Sequence, residues 1–79
     1  MDTTPHIQLK LFASLNALAP ANADHLPIDP GTSVATLLAG LNVPLASVHL
    51  IFIDGIKRSL DATLCGGERV GIFPPVAGG

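Results

Sequence analysis

Apolar and polar residues alternate along the segment from His6 to Phe12. The odd-numbered positions are all Ile or Leu, and this two-residue period predicts a strand with one buried face. The following segment, Ala13 to Asp24, contains a proline, two asparagines and several alanines. It predicts a connection, with at most a helical turn and little to bury.

One amphipathic helix is predicted after Pro30-Gly31. Thr32 or Ser33 can cap its first turn by accepting a hydrogen bond from a free backbone N–H group. Its apolar face consists of Val34, Leu37, Leu38 and Leu41. We expect the helix to end at Leu41, because Asn42 tolerates the left-handed conformation and Pro44 cannot continue a helix.

Four further segments have the pattern of strands. The Asp54-Gly55 pair predicts a hairpin turn between two of them, and Pro74-Pro75 ends the last. The four are His25–Ile28, Val48–Ile53, Ile56–Ser59 and Arg69–Phe73.

This order of elements predicts an α+β fold, in which one helix covers one face of a small sheet. If the odd-numbered positions of the first strand face the helix, Phe12 lies on the other face. If Val70 and Ile72 face it, Phe73 lies there too. Grouped apolar side chains on an open face usually mark a binding surface, whereas scattered exposed aromatics are common and carry no meaning.

The composition excludes several functions. The 79 residues suffice for one compact domain, and only 13% of them are charged. A net charge of −2 provides no field for binding a phosphate backbone, so we expect no nucleic-acid partner. With one cysteine, no membrane-spanning run and no signal-like start, a cytoplasmic protein is expected.

The side chains predict neither a catalytic set nor a metal site. The three histidines lack zinc-ligand spacing, and Cys65 lies in a Gly-rich turn with no basic residue closer in sequence than Arg69. We interpret Cys65 as a small turn residue, the alternative being a reactive thiol. The acidic residues Asp54, Asp61 and Glu68 are also interpreted as turn residues.

The C-terminus has a distinct composition. Residues 1–75 are predicted to form the single domain, and residues 76–79 a flexible tail that ends in Gly78 and Gly79. A carboxylate becomes electrophilic once it is activated as an acyl-adenylate, and sulfur can then displace the adenylate to leave a thiocarboxylate. Two residues without Cβ atoms let such a tail enter a narrow channel. A frayed, inert end is the alternative interpretation.

Four sequence features together resemble a known family. They are Leu11-Phe12-Ala13, Asp54-Gly55, the turn from Leu64 to Val70, and the ending Phe-Pro-Pro-Val-Ala-Gly-Gly from Phe73 to Gly79. Over the whole chain they resemble the MoaD group, the small subunits of molybdopterin synthase, within the MoaD and ThiS family of sulfur carriers. The resemblance implies a β-grasp, ubiquitin-like fold, with a mixed sheet of four to five strands and one main helix on one face.

The resemblance also implies a function. An E1-like adenylyltransferase of the MoeB type, which uses ATP, would activate Gly79, with Gly78 before it. The resulting thiocarboxylate would donate sulfur for the molybdopterin dithiolene inside a MoaE-like large subunit. The chain itself would be non-catalytic and bind no cofactor or metal. It would be monomeric alone and part of a heterotetramer with the large subunit.

For individual residues, the resemblance implies that Phe12 and Phe73 belong to the docking surface and that Pro75 and Val76 guide the tail. The chain departs from the family pattern at Lys57, where an apolar contact residue is expected. Three alternatives stay open: a carrier for another product such as thiazole, a modifier joined to lysines through Gly79, and a β-grasp interaction domain with an inert tail.

Overall fold

The computed structural model describes residues 4–75. These residues form a five-stranded sheet, a separate two-stranded pair and one α-helix. Three short 3₁₀ turns connect them, at Ala13–Leu18, Ala23–His25 and Leu45–Ser47. In chain order the regular elements are β1 (His6–Leu11), β2 (Leu26–Pro27), β3 (Thr32–Ser33), α1 (Val34–Gly40), β4 (Leu50–Ile53), β5 (Ile56–Arg58), β6 (Thr63–Leu64) and β7 (Arg69–Phe73).

The main sheet has the strand order β2-β1-β7-β4-β5. The last strand, β7, lies in the centre, parallel to β1 and antiparallel to β4. The two outer pairs, β1 with β2 and β4 with β5, are antiparallel. The predicted α+β class, with a mixed sheet and one main helix, is therefore confirmed, and the sheet has five strands.

The core lies between one face of this sheet and α1. In β1 the predicted alternation is present, because its odd-numbered residues are buried and its even-numbered residues are not. Val34 and Leu38 of the helix have no exposed surface. The described core consists of Ile7, Leu9, Leu11, Leu15, Leu26, Ile28, Val34, Leu38, Val43, Ile51, Ile53, Ala62, Leu64, Val70 and Ile72.

The helix agrees with its prediction. The side chain of Ser33 accepts a hydrogen bond from the backbone N–H of Thr36 at 3.1 Å, which satisfies one of the free donors of the first turn. The helix ends at Gly40, with Leu41 as its C-cap. Asn42 has a φ of 61° and so adopts the left-handed conformation expected for it.

Two turns position the strands of the main sheet. Asp54 and Gly55 both have positive φ, at 54° and 82°, as a tight turn between β4 and β5 requires. Before β7, the carboxylate of Glu68 accepts hydrogen bonds from the backbone N–H groups of Cys65 and Gly66, at 2.8 and 2.7 Å.

A third acidic side chain also lies in a turn, where the Asp61 carboxylate accepts a hydrogen bond from the Ser59 hydroxyl. The interpretation of Asp54, Asp61 and Glu68 as turn residues is confirmed.

Parts of the sequence-based picture were wrong. The segment after β1 does bury a side chain, because the 3₁₀ turn at Ala13–Leu18 directs Leu15 into the core with 3% exposure. The strand predicted from Val48 begins only at Leu50, because Val48 closes a 3₁₀ turn by donating its N–H to the carbonyl of Leu45. The pairing of β3 with β6 was not predicted.

No helix among residues 4–75 is long and apolar enough to cross a membrane.

Candidate functional site

An aromatic cluster occupies the face of the sheet opposite α1. We define it as Phe12, Phe52 and Phe73. The rings of Phe12 and Phe73 stack with their centroids 4.2 Å apart and their planes 2° from parallel. Phe52 meets Phe73 edge to face, with centroids 5.6 Å apart and an interplanar angle of 86°. The edge-to-face contact is a favourable aromatic geometry, and through these two contacts the three rings form one apolar surface.

Each ring is placed on this face by the alternation of its strand. Ile51 and Ile53 are buried beneath the sheet, so Phe52 between them projects to the other side. Val70 and Ile72 are buried in the same way, which leaves Phe73 on the outer face. Phe12 follows the buried Leu11 and continues the ladder, because its N–H donates to the carbonyl of Ile72 at 3.0 Å.

Gly71 allows the cluster to lie close to the sheet. It sits in the central strand, paired with Lys10 on one side and Phe52 on the other. A Cβ atom at Gly71 would lie 3.3 Å from Cε2 of Phe12 and 3.7 Å from Cε1 of Phe73. The absence of a side chain at Gly71 therefore leaves room for the two stacked rings to lie close to the backbone of the central strand.

The cluster remains partly open to solvent. Phe12 is 37% exposed, and Phe52 and Phe73 are half-buried. Leu50, which pairs with Phe73, is also half-buried and lies on the same face. Such a grouped apolar surface on a small domain fits a docking surface better than scattered exposed residues do.

The cluster lies where the chain leaves the sheet. The carbonyl of Phe73 accepts a hydrogen bond from the N–H of His49 at 2.8 Å, so β7 is held up to its last residue. Pro74 and Pro75 follow and cannot donate to the ladder. Pro74 is partly buried and Pro75 is exposed. The aromatic cluster and the start of the predicted tail are therefore adjacent.

The predicted site residues fall into two groups. Phe12 and Phe73 are brought into direct contact, and Pro75 follows Phe73 by two residues. Val76, Gly78 and Gly79 lie outside the described residues, so their proposed roles remain predictions. Phe52 was missed from the sequence. The signal was present, since Phe52 stands between Ile51 and Ile53 and has the opposite parity to both.

Other chemically active side chains lie away from the cluster. The rings of His6 and His25 stack 3.7 Å apart on the side of the sheet that includes β2. Cys65 is exposed in the loop before β7. Among residues 4–75, no three His, Cys, Asp or Glu side chains are grouped so that they could hold a metal ion.

Solved structures with the same architecture define the fold of this protein. The small archaeal modifier protein 1 of Haloferax volcanii superposes with a TM-score of 0.67 at 22% identity, over 91% of this chain and 99% of that one. The HVO 2177 protein of the same organism gives 0.74 at 20% identity, over 96% and 88%. A Pyrococcus furiosus protein assigned as molybdopterin converting factor, subunit 1, gives 0.66 at 23% identity, over 92% and 100%. The fold is thus the ubiquitin-like β-grasp.

The sequence itself identifies the family. The model of the ThiS family matches residues 9–79, which is most of the chain. This protein belongs to the ThiS family, whose ubiquitin-fold members are sulfur carriers or modifiers. These small carrier proteins are generally non-catalytic. No curated protein matches the sequence significantly.

Proposed function

We propose that this protein is the small, sulfur-donating subunit of a molybdopterin synthase. In this proposal an E1-like adenylyltransferase activates the carboxylate of Gly79 with ATP, and a sulfur donor converts it to a thiocarboxylate. A MoaE-like large subunit then receives the tail, and the sulfur is transferred to the precursor of the dithiolene. ATP is bound by the adenylyltransferase and not by this chain.

The proposed cycle activates the Gly79 carboxylate, loads it with sulfur and then restores it. The Gly79 carboxylate attacks the α-phosphorus of ATP, which forms the acyl-adenylate and releases pyrophosphate. A hydrosulfide-equivalent sulfur attacks the acyl carbon and expels AMP, leaving the thiocarboxylate. The thiocarboxylate sulfur then attacks a carbon of the acceptor and displaces an oxygen leaving group, which forms a thioester between carrier and acceptor. Water attacks the acyl carbon of this thioester and expels the acceptor-bound thiolate, and the Gly79 carboxylate is restored. None of these steps requires an acid, base or nucleophile from residues 4–75.

One observation carries the proposal: the aromatic cluster adjoins the point where the chain leaves β7. A carrier must present its terminus to enzymes that recognise the folded domain, and a docking face next to the exit sets the orientation of the tail. The hydrogen bonds that hold Phe12 and Phe73 in the ladder keep this geometry rigid. The pair Pro74-Pro75 stiffens the segment that leads into the tail.

Further support comes from the ThiS-family match, which extends through Gly79. The fold likeness to a protein assigned as molybdopterin converting factor, subunit 1, is in agreement. The likeness to small archaeal modifier protein 1 favours a second candidate, a modifier attached to lysine amines through an isopeptide bond from Gly79. Both candidates share the adenylation step and differ in the group that attacks the adenylate.

The test uses the purified full-length chain with an E1-like adenylyltransferase from the same organism, ATP and sulfide. We expect the mass of intact protein to rise by one sulfur-for-oxygen exchange. A variant without Gly79 should bind its partners but acquire no sulfur. Modification of the truncated variant to the normal extent, or no modification of the wild type, would contradict the proposal. Lysine-linked conjugates in place of the thiocarboxylate would favour the modifier.

A further inference from the structure

Phe52 of the aromatic cluster lies in a row of residues that has a lysine at each end. Lys10 of β1 pairs with Gly71 of β7, Gly71 pairs with Phe52 of β4, and Phe52 pairs with Lys57 of β5. These four residues form one row across the outer face of the sheet. At about 4.8 Å between strands, the Cα atoms of the two lysines are about 14 Å apart.

Cationic residues are concentrated on this face. The chain has four Lys and Arg residues in all. The side chains of Lys10 and Lys57 project from the outer face, because these residues pair with Gly71 and Phe52 of that face. The side chain of Arg69 projects there too, because the next residue, Val70, is buried on the other face. Arg58 has the opposite parity, because it pairs with the buried Ile51. Three of the four cations therefore lie on the outer face, although the whole protein has a net charge of −2.

The acidic groups near this face are unevenly distributed. Asp24 lines a cleft with Lys10 on the β1 side, and Asp24 and Glu68 both line a cleft with Arg69. On the β5 side the acidic residue nearest in sequence to Lys57 is Asp54. The Oδ1 atom of Asp54 accepts a hydrogen bond from the backbone N–H of Arg69 at 3.0 Å. Lys57 is thus an exposed cation beside the cluster, and the carboxylate nearest to it in sequence already accepts a backbone hydrogen bond.

We propose that the aromatic cluster docks on a partner protein whose contact surface has an apolar recess bordered by Asp or Glu side chains on the side that meets Lys57. The inference rests on the proposed function and specifies the chemistry of the docking partner. The three rings supply the apolar centre of the interface. Lys57, exposed on an edge strand, contributes at the rim, where charges act on association rate and partner choice.

Arg58 provides a matched control. It neighbours Lys57 on the same exposed strand, but its side chain has the opposite parity. Lys57→Glu and Arg58→Glu make the same change in net charge at nearly the same place. A difference between them therefore reports the direction of the side chain and not the charge of the whole protein.

The experiment measures binding kinetics of full-length wild type, Lys57→Glu, Arg58→Glu and Phe73→Ala to two probes. They are the MoaE-like large subunit and the E1-like adenylyltransferase of the same organism. For the partner that carries the recess, we expect Lys57→Glu to weaken binding by about tenfold or more, chiefly through slower association. Arg58→Glu should change the Kd less than about threefold. Added salt should weaken wild-type binding and reduce the difference between the two variants.

The variants separate failure of the acidic-rim proposal from failure of the proposed function. Equal effects of Lys57→Glu and Arg58→Glu on both probes, with Phe73→Ala still impairing binding, overturn the acidic-rim proposal and leave the docking face and the proposed function intact. If wild type binds neither probe, the proposed function fails as well. Thermal unfolding of each variant shows whether it is folded, and both charge reversals are at exposed positions where the fold should be retained.

Discussion

Phe12 and Phe73 are 61 residues apart in the sequence, yet their rings lie parallel with centroids 4.2 Å apart. Their contact follows from the parallel pairing of β1 with β7, which brings the ends of the first and last strands together. The aromatic cluster is thus assembled by long-range pairing and is complete only in the folded protein. Substitutions in the cluster should therefore weaken partner binding more than they lower the stability of the fold.

Phe73→Ala should weaken binding to the large subunit by about 1 to 3 kcal/mol, because a central aromatic ring that becomes buried on docking is a typical hot spot. The fold should be largely retained, since Phe73 projects away from the core. Titration calorimetry and thermal unfolding measure the two effects. Ile56→Ala removes another exposed apolar side chain, 64% exposed and outside the cluster, and should leave binding unchanged. Normal binding by a well-folded Phe73→Ala protein would show that the cluster is not the docking surface.

Gly71→Ala should impair docking while the domain stays folded. The added methyl group would press on the Phe12 ring at 3.3 Å and displace it, whereas the backbone of Gly71 needs no positive φ. We expect affinity for the large subunit to fall by about threefold to tenfold, roughly 1 kcal/mol. The change in unfolding midpoint should be small. An unaltered affinity would mean that partner binding does not depend on the arrangement of the stacked rings.

Gly66→Ala should destabilise the fold by about 2 to 4 kcal/mol, through a strained backbone and a steric clash. Gly66 has a φ of 125°, and a Cβ atom there would lie 2.6 Å from the Cβ of Pro5. Gly67→Ala is the matched control, because Gly67 also has a positive φ of 84° but open space around a Cβ. It should cost about 1 kcal/mol. Urea unfolding of the two variants separates the clash from the strain, and equal losses would rule out the contact with Pro5.

Ser33→Ala should cost about 1 kcal/mol, because the N–H of Thr36 loses the side-chain oxygen that caps the helix. Ser47→Ala serves as the control, since it removes a hydroxyl from a 3₁₀ turn outside the helix. Denaturant unfolding with fixed slope gives both values. A loss from Ser33→Ala no larger than that from Ser47→Ala would show that the cap contributes nothing to stability.

Much of this fold was predictable because its patterns are local. The bounds of β7 were predicted as Arg69 to Phe73, since Pro74-Pro75 ends the strand and Val70 and Ile72 alternate with outward positions. The helix was predictable from its cap and its apolar spacing. The β3–β6 pair was not, because two residues per strand show no period and the pairing depends on contacts over about 30 residues of sequence.

The candidate site was only partly predictable for similar reasons. Parity placed Phe12 and Phe73 on one face, but the contact between their rings depends on the register of β1 against β7, which the sequence pattern does not contain. Phe52 was concealed within a continuous apolar run, where alternation is weakly expressed. The buried Leu15 was missed because it lies in a 3₁₀ turn, for which the flanking alanines and asparagine give no apolar period.

The parallel alignment of β1 and β7 also determines how the domain bears mechanical load. A force applied along β7 at Phe73 acts across the hydrogen bonds that join this strand to β1 and β4. Such a pull shears both ladders at once and does not open them one bond at a time. The unfolding force measured by pulling on residues 6 and 73 should therefore be high for so small a protein.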